Sequence, residues 1–501
     1  MKQPHIIIFN PDQWRGDVLR HQGNPAAVTP HLDQFAAEEG VSFSQAFCQN
    51  PVCTPSRCSY MTGWYPHVRG HRTMNHMLHA DRGEPNLLKV LKDEGYFVWW
   101  GGKNDLLARG PDLEAACDVR FEATAADYER WGLTPREGAH AGNYAWRGEP
   151  DDDMYFSFLK GKLDKGDEEV YADSDWARFL GALDFIGSYD GEKPLCIYLP
   201  LDYPHPPYGV EEPWYSMIDR GMLLPRVPAP ESWEGAPSIL EKIYRNQKLQ
   251  GLDEETWSEL RGTYYGSCAR LDHQFGMLMD ALKQQNFYDD AAIFMFSDHG
   301  DFTGDYGLVE KASNTMQDCL TRVPFLFKPP AGVPVKPGNR EALVELVDFS
   351  ATVYDLLQLD PGYDSFGKSL LPLAAGKTTV HRDAVFCEGG RRPKEYQAVD
   401  SGNHTGEPAD PLGLYGPRIV EEASEDPFVH CKAVMCRTSS HKYVRRYGEL
   451  DELYDLTRDP REQQNRIGDP AYREILSELR ERLTDWYMET CDVIPQQKDL
   501  R

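Results

Sequence analysis

A mainly parallel β-sheet sandwiched by helices, followed by a smaller α+β unit, is the architecture this sequence predicts, and three observations carry it. Four β-rich runs, His5 to Phe9, Tyr96 to Trp100, Leu195 to Leu201 and Ala291 to Phe296, each stop in a cluster of polar or charged residues. Helical stretches lie between them, the pattern of parallel strands joined by crossover helices. Beyond about residue 370 the pattern changes to short strand-like runs ahead of one amphipathic helix. A chain of 501 residues exceeds what one core fills. The expected division is a large domain over residues 1–370 and a small antiparallel sheet with a helix over residues 371–501.

In chain order, His5 to Phe9 is broken by Asn10-Pro11-Asp12-Gln13. Thr29-Pro30-His31-Leu32 opens a helix with Thr29 as cap and Pro30 in the first turn; Leu32, Phe35 and Ala36 share one face, and Gly40 stops it. A polar, histidine-rich loop runs from Tyr65 to His79, a helix from about Pro85 to Glu94, and then the strand Tyr96 to Trp100, ending at Gly101-Gly102-Lys103-Asn104-Asp105. From Leu106 to Lys193 the sequence is broken and acidic, and it reads as solvated loops with short helices. The run Leu195 to Leu201 stops at Asp202-Tyr203-Pro204-His205-Pro206-Pro207. A long helix from about Glu254 to Gln285 places Leu260, Tyr264, Cys268, Leu271, Phe275, Leu278 and Leu282 at spacings of three and four, so one face covers the sheet. Ala291 to Phe296 ends in Ser297-Asp298-His299-Gly300-Asp301. Finally Ala433 to Arg437 and Lys442 to Tyr447 precede a helix from about Tyr472 to Glu489 carrying Leu476, Leu479, Leu483 and Trp486 on one face. Ligands bind at the carboxyl ends of parallel strands, so Asp12, Lys103, His205 and Asp298 are expected on one rim.

Composition narrows the function. A formal net charge of -27 argues against nucleic acid, which requires a basic footprint, and disfavours long polyanions. A local cationic pocket suits one small anionic group instead. No apolar run reaches bilayer-spanning length, and the start of the chain lacks the layout of a signal peptide, so a cytoplasmic location without membrane attachment is expected. The 11 cysteines are scattered without a CxxC pair, as reduced thiols are. Oligomeric state leaves no mark in the sequence.

The stretch Cys53-Thr54-Pro55-Ser56-Arg57-Cys58-Ser59-Tyr60-Met61-Thr62-Gly63 resembles the signature of the type I, formylglycine-dependent sulfatases, an alkaline-phosphatase-like family. Further segments match that family in order: Asp12-Gln13 after the first strand, Ser297-Asp298-His299-Gly300, Glu345-Leu346-Val347-Asp348-Phe349 with Thr352, and Glu452-Leu453-Tyr454-Asp455-Leu456 with Asp459, Pro460 and Glu462. The resemblance implies an alkaline-phosphatase-like fold and hydrolysis of a sulfate monoester of sugar, aryl or steroid type. It also implies that a maturation enzyme oxidises Cys53 to formylglycine, whose hydrate attacks sulfur and later expels sulfate.

On the same resemblance Asp12, Gln13, Asp298, His299 and modified Cys53 bind one divalent cation, calcium first, with manganese or magnesium as alternatives. Gln13 reads equally as a hydrogen-bonding loop residue. Arg57 would hold the nucleophile near the metal, Lys103 and Lys311 would contact sulfate, and His205 would protonate the departing alcohol. Asp105 stands where the family often has a histidine base; it either takes that role or pairs with a lysine. His67, His71, Asn75 and His76 are close enough in sequence to line the pocket mouth. Two other readings are a phosphonate monoester or phosphodiester hydrolase on the same scaffold, whose members share the Asp-Gln and Asp-His pairs, and a binding protein that retains the fold.

Overall fold

The run Ile6-Ile7-Ile8-Phe9 is apolar on both faces, the mark of a strand covered on both sides, and it forms the middle of the central sheet. In the computed structural model, which describes residues 3–137, 145–399, 410–424 and 426–494, its strand is β1 (His5–Asp12). Met1, Lys2 and residues 138–144 of the acidic segment lie outside the described residues. The other main strands are β2 (Val41–Phe47), β3 (Phe97–Gly101), β4 (Val119–Phe121), β5 (Leu195–Pro204), β6 (Ala291–Phe296), β7 (Phe325–Lys328) and β8 (Gly338–Glu345). Their spatial order is β8-β2-β7-β6-β1-β5-β3-β4, with a two-residue strand, Arg322–Val323, also on β2. β7 runs antiparallel to both neighbours, while the other main pairings are parallel. The four runs read as strands are thus contiguous, and in their register Ile7 lies between Ile197 and Ile293.

Alternation along β1 feeds two cores. Ile6 and Ile8 join Phe294, Phe296 and Phe349 on one side; Ile7 and Phe9 join Leu271, Phe275 and Leu278 on the other. The helix Glu254–Gln284 buries all seven apolar positions expected of it. Phe275 meets Phe9 and Phe35 edge-on, with ring centroids 5.6 and 5.2 Å away, so it ties the sheet to the helix Pro30–Glu38.

Several expectations need correction. Thr29 occupies the cap position of Pro30–Glu38, but its hydroxyl accepts from Arg20 N and donates to Asp33 instead of capping. The second helix is shorter, Leu87–Asp93, because Asn86 caps it by accepting from Leu88 N at 2.9 Å. The acidic segment contains a full helix, Ser174–Ser188, that buries Trp176, Phe179 and Ile186 and is capped by Asp173. Acidic residues ahead of it, such as Asp151-Asp152-Asp153 and Asp167-Glu168-Glu169, dominate the segment's average composition and hide the helix's apolar face.

The C-terminal part forms a four-stranded antiparallel sheet, β9 (Val385–Gly389), β10 (Ala433–Arg437), β11 (His441–Arg446) and β12 (Glu452–Asp455), in that order. The helix Arg473–Thr490 packs Leu479, Leu483 and Trp486 on it, with Trp486 stacked on Phe386; Leu476 is half-buried. Two of the matched sequence segments are structural here. Asp348 accepts from Glu345 N and Lys368 N and pairs with Arg382 and His381, while Glu462 pairs with buried Lys442 and accepts from Asp318 N. Among the described residues no helix is long and apolar enough to cross a membrane.

Replacing Phe275 with alanine empties a site shared by sheet and two helices. The expected cost is about 3–5 kcal/mol, read as a lower urea midpoint at unchanged slope.

Candidate active site

Cys53 is the first residue of the helix Cys53–Thr62, which is buried along its whole length. Gly63 ends it at φ 73°, where a side chain would also collide with Ser365. Ser56 Oγ donates to the Asp298 carbonyl at 2.6 Å and fastens this helix to the end of β6. The helix start therefore faces the carboxyl ends of β1, β5 and β6.

Asp12, at the end of β1, organises what meets there. Its Oδ2 pairs with Arg57 at 3.0 Å and Lys103 at 2.7 Å; its Oδ1 lies 3.5 Å from Cys53 Sγ and 3.5 Å from His299 Nε2. His299 Nε2 is 3.2 Å from Cys53 Sγ, and Lys103 Nζ is 3.7 Å from it. Arg57 also reaches Asp298 Oδ2 at 2.8 Å and donates to Asn10 Oδ1 at 2.9 Å. The expected rim of Asp12, Lys103 and Asp298 thus closes around Cys53.

A second group adjoins the first. Lys311 Nζ donates to Gln13 Oε1 at 2.6 Å, Glu310 Oε1 at 2.7 Å and His205 Nε2 at 2.9 Å. His205 Nδ1 lies 2.7 Å from the Pro206 carbonyl, which can only accept, so Nδ1 carries the hydrogen and Nε2 accepts from the ammonium. Asp105 Oδ2 sits 3.1 Å from Lys103 Nζ.

The electrostatics follow from burial and these pairs. Burial would raise Asp12, but Lys103, His205, Arg57 and His299 together hold it well below the ordinary carboxylate range. Burial, reinforced by Asp12, pushes the Cys53 thiol well above its ordinary value, so as a thiol it stays protonated and weakly nucleophilic. Burial lowers His299, which is neutral; its Nδ1–H donates to the Gly300 carbonyl at 2.9 Å, leaving the Nε2 lone pair toward Cys53. Burial raises Asp301 to about 6.

These residues fit a divalent cation. Asp12, Cys53, Asp298 and His299 bring one ligand atom each to within 4.8 Å of one another. Asp298 Oδ2 is buried without an aligned hydrogen bond despite its nearness to Arg57, and His299 presents an unprotonated nitrogen. Carboxylate oxygens with one imidazole suit calcium, manganese or magnesium in different degrees.

Other residues read from the sequence lie elsewhere. His67 is held by Glu388 and the Thr490 carbonyl, His71 by Glu84 and the His76 carbonyl, His76 by Thr73, and Asn75 by the Val399 carbonyl. Met74 of this loop touches the nucleophile helix, its sulfur accepting from Thr54 N. Sequence reasoning does not single out Asn10, Tyr208, Asp301 and Glu310 as site residues. Asp301 and Glu310 are adjacent to motif residues and so are findable; Tyr208 gives no signal in sequence.

A family model described as Sulfatase matches residues 4–359. The chain belongs to the sulfatase family. The enzyme is a sulfuric ester hydrolase with an alkaline-phosphatase-like fold. It is 27% identical to the multifunctional alkaline phosphatase superfamily protein PehA of Trinickia caryophylli, over 98% of this chain and 96% of that protein. It is 24% identical to choline-sulfatase of Rhizobium meliloti, over 100% and 90%. Among solved structures it resembles the phosphonate monoester hydrolase of Agrobacterium radiobacter (TM-score 0.73, 21% identity, 99% of this chain and 100% of that one). It also resembles a putative sulfatase from Bacteroides thetaiotaomicron (TM-score 0.69, 20% identity, 98% and 93%).

Arg57 is fully buried and neutralises two buried carboxylates. Arg57→Ala strands Asp298 and leaves Asp12 with Lys103, at an expected cost of about 3–5 kcal/mol in the metal-free protein. Saturating calcium or manganese should recover part of that loss in thermal unfolding.

Proposed function

We propose that the enzyme hydrolyses the sulfate monoester of a small alcohol, of sugar, aryl or steroid type, to alcohol and inorganic sulfate, after a maturation enzyme converts Cys53 to formylglycine. The observation that carries this reading is the meeting of Cys53 with Asp12, Asp298, His299 and Lys103 in one buried cluster. Formylglycine supplies, as its hydrate, one hydroxyl to attack sulfur and a second whose deprotonation releases sulfate. A divalent cation, calcium first and manganese or magnesium as alternatives, would be held by Asp12, Asp298, His299, residue 53 and Gln13; it would acidify the nucleophile and offset charge on the ester.

The chain's own residues supply the rest. Arg57 holds the carboxylates of Asp12 and Asp298 in place beside residue 53, and its planar cation cannot be lost by deprotonation. Lys103, beside Cys53, and Lys311, beside Gln13 and His205, attract the sulfate oxygens. His205 serves the departing alcohol: when Lys311 turns from His205 Nε2 to the sulfate oxygens, Nε2 takes up a proton from solvent and passes it to the alkoxide oxygen. Asp105, paired with Lys103, takes the proton that lets sulfate leave afterwards. The substrate is small because the acidic surface repels long polyanions.

A second reading, phosphonate monoester or phosphodiester hydrolysis, shares the Asp12-Gln13 and Asp298-His299 pairs with the first and is favoured by the likeness to PehA and the phosphonate monoester hydrolase. A panel of sulfated sugars, sulfated steroids, aryl sulfates and phosphonate esters distinguishes the two by which class gives the larger kcat/KM.

The mass of the Cys53 peptide should show aldehyde in place of thiol, and Cys53→Ala and Cys53→Ser should both be inactive while folded. Substantial turnover in either variant rules out formylglycine. His205→Ala should lose about 100- to 10,000-fold on an alkyl or sugar sulfate and far less on nitrophenyl sulfate, whose leaving group needs little help. Equal losses on both would remove His205 from proton donation.

A further inference from the structure

Gln13 differs from the other candidate ligands in one respect: its amide offers an oxygen at one end and a nitrogen at the other, so something else must decide which end is presented. Its backbone is rigidly placed in the left-handed region at φ 72°, with N donating to Asp298 Oδ1 at 3.1 Å and its carbonyl accepting from Tyr264 OH at 2.7 Å. Its side chain spans two groups of opposite character. Nε2 donates to Asp301 Oδ2, and Oε1 accepts from Lys311 Nζ. A carboxylate only accepts and an ammonium only donates, so the pair of partners allows a single orientation.

Asp301 is itself fixed. Tyr208 OH lies 2.9 Å from both of its oxygens, and Thr303 Oγ1 donates to Oδ1 at 2.7 Å, which leaves Oδ2 to face Gln13. Tyr208 OH in turn accepts from Glu310 N at 3.1 Å, and Glu310 holds Lys311. The Asp301 carboxylate is therefore tied through Tyr208 to the turn carrying Lys311, which backbone bonds from Phe302 N to Glu310 O and from Gly304 N to Leu308 O also hold against it.

We infer that Asp301 is a positioning residue that turns the Gln13 amide so that Oε1 faces Lys311 and the candidate cation, which makes glutamine at 13 an oxygen ligand only while residue 301 is a carboxylate. This rests on the cation site of the proposed function. Two substitutions expose the dependence. In Asp301→Asn the donors on Thr303 keep the asparagine oxygen at the Oδ1 position, so its NH2 meets Gln13 Nε2; the amide must turn over and set its own NH2 against Lys311. In Gln13→Glu a second carboxylate faces Asp301. With both substitutions together, the glutamate at position 13 accepts from the asparagine at position 301 and from Lys311, and the arrangement closes again.

The test uses metal-stripped full-length protein at pH 8, comparing wild type, Asp301→Asn, Gln13→Glu and the double variant by urea unfolding and by manganese titration calorimetry. Each single variant should be less stable and bind manganese at least about 10-fold more weakly, and the double variant should recover to within about threefold of wild type. Losses that simply add in the double variant overturn the inference, because a role confined to the turn at Asp301 and Thr303 would not be repaired by a change at Gln13. Should wild type not bind manganese, the cation site falls while the unfolding cycle still judges the pairing: recovery supports it and additivity overturns it. Should Asp301→Asn fail to fold alone, folding of the double variant supports the inference and its failure to fold overturns it.

Discussion

The Asp12 carboxylate is the constraint on which the rest of the site depends. It is fully buried at the end of the central strand, and a charge there is sustained because Arg57 and Lys103 close on one of its oxygens while His205 and His299 lie near. Arg57 comes from the nucleophile helix and Lys103 from the end of β3, so one carboxylate fixes three elements relative to one another. The other oxygen is left facing Cys53 and His299. An arrangement that first solves the problem of a buried charge thereby creates a polarised cluster in a dry site, where electrostatic effects are strong.

Around that centre the chain alternates charges so that nearly every buried ion has a counterpart. Lys311 is balanced by Glu310, Asp298 by Arg57, and Lys103 by Asp12 and Asp105. The cations are concentrated where an anionic ester would sit, although the molecule as a whole carries a charge of -27. Overall acidity and a local cationic pocket are compatible because charges inside the site are screened little, while exposed ones more than about 10 Å away are largely screened by salt.

The two faces of the sheet carry different duties. One core packs the nucleophile helix through Tyr60 and Met61, and the other packs the long helix Glu254–Gln284, whose Tyr264 reaches the Gln13 carbonyl. The reaction centre is therefore referenced to both layers at once, which suits a chemistry sensitive to misplacement of about 1 Å.

The central strands, the long helix and the C-terminal helix are legible in the sequence because burial on one or both faces imposes a periodicity that survives without neighbours. The helix Ser174–Ser188 and strands such as β2 and β7 are not: short or composition-averaged apolar patterns carry too little signal alone. At the site, residues whose chemistry is intrinsic, namely Cys53, Arg57, Asp12, Asp298 and His299, can be named from motif and strand ends. Whether His67 and His71 face the nucleophile or a carboxylate elsewhere is a matter of tertiary packing, and Glu388 and Glu84 decide it from distant or intervening segments. The same holds for Gln13, whose amide takes its orientation from Asp301 and Lys311, 288 and 298 residues away in sequence. The sequence by itself determined which groups have the chemistry; the tertiary structure decided which atom of each is presented, because hydrogen-bond direction depends on partners that only the fold brings together.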